Sequence, residues 1–207
     1  DPGAYVYTAD YNARNQFRST VFHNTVQVDS QDQNLLSHTP SGIFRLSDIT
    51  QSRMIHWVDS AEYSLFGGEH RGYMRLHPSV VHKRIIFFDK SSSIWIVHDQ
   101  LDGREQHSAT TLFHLAPSLD VQTSVGLGIE KFHLRVEGDK GELYIVALQG
   151  YTSSPVMRFG GVSPGYGIQE SAPVVAWDWD KKSQESILAI TANVSQIEQL
   201  TAIFDCY

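Results

Sequence analysis

The segment from Arg14 to Asp29 gathers residue types that can do chemistry. It reads RNQFRSTVFHNTVQVD, with Arg14 and Arg18 ahead of the pair His23-Asn24 in a run that is otherwise apolar and β-branched. A strand normally hides its polar groups or gives them to water, so an imidazole and an amide set among valines need partners. The pattern predicts a strand whose polar side chains meet a metal ion or an acidic ligand.

The overall charge limits what that ligand can be. A formal net charge of −7 argues against a nucleic-acid binder, because such proteins usually carry a basic face that displaces counterions from phosphates. An anionic ligand would need a local basic cluster, for which the alternative is a set of scattered surface charges. The candidates are Arg14, Arg18, Arg71, Arg75, Lys83 and Arg84.

The chain gives little information on compartment. Its single cysteine, Cys206, has no partner for an internal disulfide. No apolar run approaches the roughly 20 residues of a membrane-spanning helix, and no signal-peptide pattern is present. Because the chain opens on Asp1-Pro2-Gly3 without an initiator methionine, we expect a fragment of a longer protein, with residues 1–207 forming a single domain.

Strand signals run from one end to the other. About a dozen short β-rich runs separated by polar turns predict an all-β fold, a large antiparallel β-sandwich of two stacked sheets with little or no helix. The hairpin signal at 137–141 is the clearest, one short helix is conceivable over 192–200, and 153–171 is interpreted as a long surface loop. The predicted strands are 5–8, 20–28, 42–46, 54–58, 80–88, 93–98, 109–115, 131–136, 142–147, 174–179, 186–192 and 200–204.

The ten histidines show no local metal-binding spacing, so each is judged separately. His23 stands out because Asn24 follows it and Arg18 precedes it. Asp1 is either a metal carboxylate or a turn-capping residue. His70 and Tyr73 lie in a second polar patch, which is either a substrate contact or a polar loop beside an edge strand. Structural or inter-strand hydrogen-bonding roles are expected for the remainder, namely His38, His56, His77, His82, His98, His107, His114 and His133.

Familiar catalytic motifs are missing from the sequence. It has no Gly-rich phosphate loop, no Gly-x-Ser-x-Gly elbow and no Cys-His pairing, so nucleotide-binding and serine-hydrolase functions have little support.

Taken in order along the chain, several short motifs of this sequence resemble those of the heparinase II/III-like family of polysaccharide lyases. The most specific part is Asp1-Pro2-Gly3-x-Tyr5-x-Tyr7 followed by Arg14-Asn15-x-Phe17-Arg18-Ser19-Thr20-x-x-His23-Asn24-Thr25-Val26-x-Val28-Asp29. Later landmarks fall in the order of the family, up to about Gly167. They are His70-x-Gly72-Tyr73-x-Arg75-Leu76, His82-x-Arg84, Trp95-Ile96-Val97-x-Asp99, His107, Phe113-His114-Leu115-x-Pro117 and Ser163-Pro164-x-Tyr166-Gly167.

The resemblance implies a role as one part of a larger enzyme. Family members join an N-terminal α-helical toroid to a C-terminal β-sandwich, to which this chain corresponds. It implies a divalent metal, commonly zinc, with His23 and Asp1 as ligands and a third ligand upstream of Asp1; manganese or another divalent ion would also suit such ligands. No catalytic residue is expected within the chain, because the implied acid and base belong to the toroid and to the upstream segment.

The implied reaction is β-elimination at an acidic polysaccharide of glycosaminoglycan or alginate type. Arg14, Arg18, Asn24, His70 and Tyr73 are the candidate substrate-binding residues, and an arginine fork suits a carboxylate or sulfate. The resemblance also implies a bacterial, periplasmic or secreted parent enzyme, with the fragment alone inactive. The alternatives are a non-catalytic carbohydrate-binding β-sandwich and a purely structural module that packs on a partner domain.

Overall fold

Two antiparallel sheets pack face to face in the computed structural model of the chain. The structure describes residues 2–39, 41–42, 44–123, 132–193 and 195–196. Asp1, Cys206, the predicted strand 200–204 and most of the conceivable helix 192–200 lie outside the described residues.

Twelve strands make up the two sheets in the described part of the chain. The smaller sheet has four strands in the order β1-β6-β11-β10, and the larger has eight in the order β2-β3-β4-β5-β12-β9-β8-β7. The strands are β1 (Val26–Val28), β2 (Arg53–Asp59), β3 (Tyr63–His70), β4 (Val80–Asp89), β5 (Ile94–Gly103), β6 (Ala109–His114), β7 (Asp120–Thr123), β8 (His133–Gly138), β9 (Gly141–Gln149), β10 (Val156–Gly165), β11 (Ile168–Asp178) and β12 (Glu185–Thr191). The predicted all-β antiparallel sandwich is therefore confirmed.

Alternating apolar residues from both sheets form the core. Trp177 of β11 is fully buried against Leu134 of β8 and Leu188 of β12. A second buried cluster joins Val26 of β1 to Val80 of β4, among other residues. Because burying each such side chain contributes roughly 1.5–3 kcal/mol, this second cluster anchors β1 firmly against the larger sheet.

The predicted strand from residue 20 to 28 is wrong over residues 20–25, and the polar residues before it are helical. Helix α1 (Tyr11–Arg18) is followed by a short 3₁₀ helix (Thr20–Phe22), and only Val26–Val28 pairs as a strand. The carboxylate of Asp10 caps α1 by accepting the main-chain N–H groups of Asn12 and Ala13. Apolar packing then holds the helix, because the ring of Phe17 is buried and lies 5.1 Å from that of Phe22.

Further differences concern loops and edges. The stretch 153–171 is not a long loop but carries β10 and the start of β11, which form a hairpin. Strands β3 and β7 were not predicted, whereas residues 5–8 and 42–46 show no strand where the structure describes them. Within the described residues, no helix is both long and apolar enough to cross a membrane.

Candidate functional site

His23 lies at the junction between the 3₁₀ helix and β1. Its main-chain N–H donates to the oxygen of Thr20 at 3.1 Å as the helical turn ends, and its own oxygen accepts from the N–H of Thr25 at 3.0 Å. These bonds hold its backbone extended, with φ −127° and ψ 157°. The side chain is half-buried and lines a cleft of about 630 Å³.

The cleft beside His23 is lined by both polar and apolar side chains. Arg18 comes from the end of α1, whereas Asp32 and Gln33 come from the segment after β1. Two bonds tie that segment to Thr20: the N–H of Thr20 donates to Asp32 Oδ1 at 2.7 Å, and Thr20 Oγ1 accepts the N–H of Gln33 at 2.7 Å. The cleft wall is thus built from residues close together in sequence, with cross-links that fix its shape.

The chemistry of His23 suits a metal ligand. Burial desolvates the imidazolium and lowers the pKa of His23, so the ring is neutral and offers a nitrogen lone pair at neutral pH. Asp1, the second predicted ligand, lies outside the described residues. The described part of the chain holds no group of three His, Cys, Asp or Glu side chains placed to bind a metal.

Arg14 and Arg18 lie one helical turn apart on α1 but in different surroundings. The guanidinium of Arg14 is 5.2 Å from the ring centre of Tyr7 and 4.5 Å from that of Phe44, which is a cation–π arrangement. Arg18 lines the His23 cleft, with Nη1 3.4 Å from Oδ1 of Asn15. Burial, and next the charge of Arg14, lower the pKa of Arg18. An anion in the cleft would relieve the repulsion between the two cations.

Asn24 is held on two sides. Its Oδ1 accepts the main-chain N–H of His114 at 2.7 Å, and its main-chain oxygen accepts from Arg84 Nη1 at 2.7 Å. His114 Nδ1 is a further 3.2 Å contact of the same Oδ1, and burial lowers the pKa of His114 to about 4. Asn24 is nevertheless exposed, so its assignment as a substrate contact stays a prediction.

The two candidates from the second polar patch do not face the His23 cleft. His70 lines a separate groove of about 360 Å³, and both its ring nitrogens are engaged, by the N–H of Gly72 at 3.2 Å and by His82 Nδ1 at 3.0 Å. Tyr73 is 0% exposed, and its hydroxyl donates to the oxygen of Val26 at 2.9 Å. The interpretation of Tyr73 as a ligand contact is therefore wrong, because a solvent-borne ligand does not reach a core side chain.

A buried polar network beside the groove was missed at the sequence level. Arg84 Nε and Nη2 donate to the two oxygens of Asp99 at 2.7 and 2.8 Å, and Asp99 Oδ1 lies 2.8 Å from His82 Nε2. Because Gly72 N–H donates to His70 Nδ1, a single proton arrangement satisfies every member: His70 Nε2–H donates to His82, and His82 Nε2–H donates to Asp99.

Asp99 stays ionised within that network. Burial raises its pKa, but the charge of Arg84 and the hydrogen bonds from His82 and Arg84 outweigh burial and hold the pKa of Asp99 well below its usual range. The available sequence signal was the pair His82-x-Arg84, whose members share one face of a strand.

Several histidines have the inter-strand roles expected of them. His82 bonds Asp99 across the β4–β5 pair, and His98 Nε2 lies 3.1 Å from Glu185 of β12. His107 Nδ1 lies 2.6 Å from Asp29 Oδ2, which joins β1 to the loop before β6. These contacts confirm the prediction of structural hydrogen bonding.

Comparison with known proteins adds a family and a set of shared folds. A family model described as heparinase II/III-like, C-terminal, matches residues 1–192. The heparan sulfate lyase HepC of Pedobacter heparinus superposes with a TM-score of 0.73 at 19% identity, over 92% of this chain and 28% of that one. A heparinase III structure superposes with a TM-score of 0.65 at 14% identity, over 95% of this chain and 28% of that one. The chain thus spans 28% of the length of these structures, and at such identities the likeness shows the fold alone. No curated protein matches significantly in sequence.

Proposed function

The chain belongs to the heparinase II/III-like family, and from this membership we propose that it is the C-terminal β-sandwich of a polysaccharide lyase. The solved structures that share its fold are more than three times as long, since it covers 28% of each. The proposed parent therefore carries a further domain. From the family we propose that this domain is an N-terminal α-helical toroid and that the parent is bacterial.

The proposed reaction is β-elimination at a uronic acid. A base removes the proton next to the uronate carboxylate, the bond from the neighbouring carbon to the glycosidic oxygen breaks, and that oxygen takes up a proton. No water is added, so the new chain end carries a carbon–carbon double bond. The proton is weakly acidic, so catalysis requires that the carboxylate charge be neutralised and that the base and the acid be positioned.

This chain supplies the wall of the cleft and holds the substrate. The observation that carries the proposal is that His23 and Arg18, both in the part matched by the family model, line one cleft. Arg18 binds a carboxylate or sulfate of an acidic polysaccharide, for which its planar fork of donors is well suited.

His23 and Asp1 would hold a divalent metal, proposed as zinc, because a neutral imidazole and a carboxylate are ligands that zinc accepts. When bound, the metal supplies a positive charge that anchors the cleft wall. The base and the acid are proposed to come from the upstream part of the parent.

An elimination assay tests this division of labour. The parent protein, the 207-residue chain and a mixture of the chain with the N-terminal part are each incubated with heparan sulfate and with alginate. We expect unsaturated uronate, detected by its near-ultraviolet absorbance and by a product mass one water below that of hydrolysis, from the parent and the mixture only. Cleavage by the chain alone would contradict the proposal, and saturable binding without cleavage by the parent would favour a carbohydrate-binding module.

A further inference from the structure

Strand β1 is an edge strand of the smaller sheet, so one side of its backbone faces away from its partner β6. The oxygen of Thr25 accepts the N–H of Leu112 on β6 at 2.9 Å. Carbonyl groups alternate in direction along a strand, so the oxygens of Asn24 and Val26 point to the other side. Val26 is fully buried, so its oxygen needs a donor from elsewhere.

Both of these oxygens accept hydrogen bonds from side chains, one on a strand of the larger sheet and one on the 3₁₀ helix that follows β3. The hydroxyl of Tyr73 donates to Val26, and Arg84 Nη1 donates to Asn24. Arg84 lies on β4 of the larger sheet, so its bond crosses between the sheets at the residue that follows His23.

The direction of the Arg84 guanidinium is itself fixed. Asp99, which is 1% exposed, accepts two parallel bonds from Nε and Nη2, and His82 holds the same carboxylate from another side. Two parallel bonds orient a guanidinium plane more strictly than one, so the two N–H groups of Nη1 also have fixed directions. One of them donates to the oxygen of Asn24.

Asn24 in turn fixes the backbone on the C-terminal side of His23. Its main-chain oxygen is held by Arg84 and its side-chain oxygen by the N–H of His114 on β6. The oxygen of His23 is bonded to the N–H of Thr25, which closes a tight turn over Asn24. Displacing Asn24 would therefore shift the backbone that carries the imidazole of His23.

We propose that Arg84, held by Asp99, is a positioning residue that presents His23 to the divalent metal. The inference rests on the proposed metal site. Outer residues that orient a metal ligand typically contribute about 10- to 100-fold in metal affinity. Arg84 is not among the described residues that line the His23 cleft, so its effect on His23 passes through Asn24.

Two variants of the parent protein test this role. Arg84→Lys keeps a positive charge beside Asp99 but lacks the planar fork needed to donate to Asp99 and Asn24 together. Arg84→Met combined with Asp99→Asn removes both charges, so no unpaired carboxylate is buried, while the amide oxygen still accepts from His82. Circular dichroism shows which variants are folded, and either one that folds decides the question.

The first readout is the metal alone. We expect zinc affinity, measured by competition with a chromophoric chelator, to fall about 10- to 100-fold, and the visible spectrum of the cobalt-substituted protein to change. The matched control is Lys83→Met, which removes the charge of the neighbouring residue on β4. The Nζ atom of Lys83 lies 2.7 Å from the exposed carboxylate of Asp102. The control should bind zinc as the unmodified protein does. Unchanged affinity and spectrum in a folded variant would overturn the inference and leave the proposed metal site intact.

The second readout needs no metal. Carbethoxylation of His23, mapped by peptide mass spectrometry, should become several-fold faster in the variants as its half-buried ring is released, and should stay the same in Lys83→Met. If the unmodified parent binds no zinc, the proposed metal site fails. The carbethoxylation rates then decide whether Arg84 positions His23, since equal rates in a folded variant contradict the inference.

Discussion

The hydroxyl of Tyr73 donates to the main-chain oxygen of Val26 over 2.9 Å, and this bond joins the 3₁₀ helix Gly72–Arg75, which follows β3, to the edge strand of the opposite sheet. The tyrosine is fully buried beside Val80 and Leu101. Tyr73 therefore belongs to the structure that supports the His23 cleft rather than to the surface that meets a ligand.

Replacing this tyrosine with phenylalanine should lower the free energy of unfolding without changing the KM for the substrate. Tyr73→Phe leaves the oxygen of Val26 buried without a donor, which costs about 1–3 kcal/mol in the free energy of unfolding. Denaturant unfolding of the parent protein measures the loss. Tyr166→Phe, which changes an exposed ring, should have almost no effect. A stable Tyr73→Phe variant with a raised KM would return Tyr73 to the substrate site.

His70 should make the stability of the sandwich depend on pH. Burial, followed by electrostatic interaction with His82 and Arg84, lowers the pKa of His70 to about 3 although the charge of Asp99 opposes this, whereas an unfolded histidine has a pKa of about 6.5. Between these values the unfolded state binds more protons, so the stability contributed by neutral His70 is complete above pH of about 6.5 and is lost progressively as the pH falls toward about 3.

His70→Gln is the matched variant for that dependence, because an amide can accept from the N–H of Gly72 and donate to His82 without titrating. The denaturant midpoint of the unmodified protein should decline through this window more steeply than that of the variant. Parallel curves would show that the proton uptake of unfolding arises elsewhere.

Arg18 should govern affinity for the polyanion. Arg18→Gln in the parent protein removes a cation from the His23 cleft, and the lost charged hydrogen bonds should raise KM about tenfold or more while kcat changes little. Increasing salt should affect the variant less than the unmodified enzyme. Arg104→Gln, which removes an arginine lining a different cavity, serves as the control. Equal effects of the two substitutions would mean that the net charge of the protein, and not an arginine in the cleft, sets the affinity for the polysaccharide.

The strand pattern was predictable where local rules decide it. The turn at 89–92 and the Gly138–Gly141 turn lie between runs of β-forming residues, and both form hairpins, β4–β5 and β8–β9. Strand β10 was mistaken for a loop because it contains Gly160, Gly161 and Pro164, residues that are tolerated on the edge of a sheet. Position at an edge is a property of the whole sheet and is not visible in the local sequence.

Helix α1 and the buried polar network were not predictable from the sequence, for two different reasons. The eight residues of α1 are too few for a sustained apolar period, and the available signal was Asp10 as a capping residue before Tyr11. The Arg84–Asp99 pair depends on the register in which β4 meets β5, which places these residues directly opposite each other. Register follows from the packing of both sheets, so the composition of either strand alone does not reveal the pair.

A rate measurement is the most direct test of the proposal that His23 is a metal ligand in a lyase. It compares how fast the parent protein forms unsaturated uronate before and after the substitution His23→Ala. The unmodified parent should form the product, and His23→Ala should form it at least about tenfold more slowly, while His38→Ala, a change at an exposed histidine, leaves the rate unchanged. A folded His23→Ala variant that cleaves as fast as the unmodified parent would contradict the account.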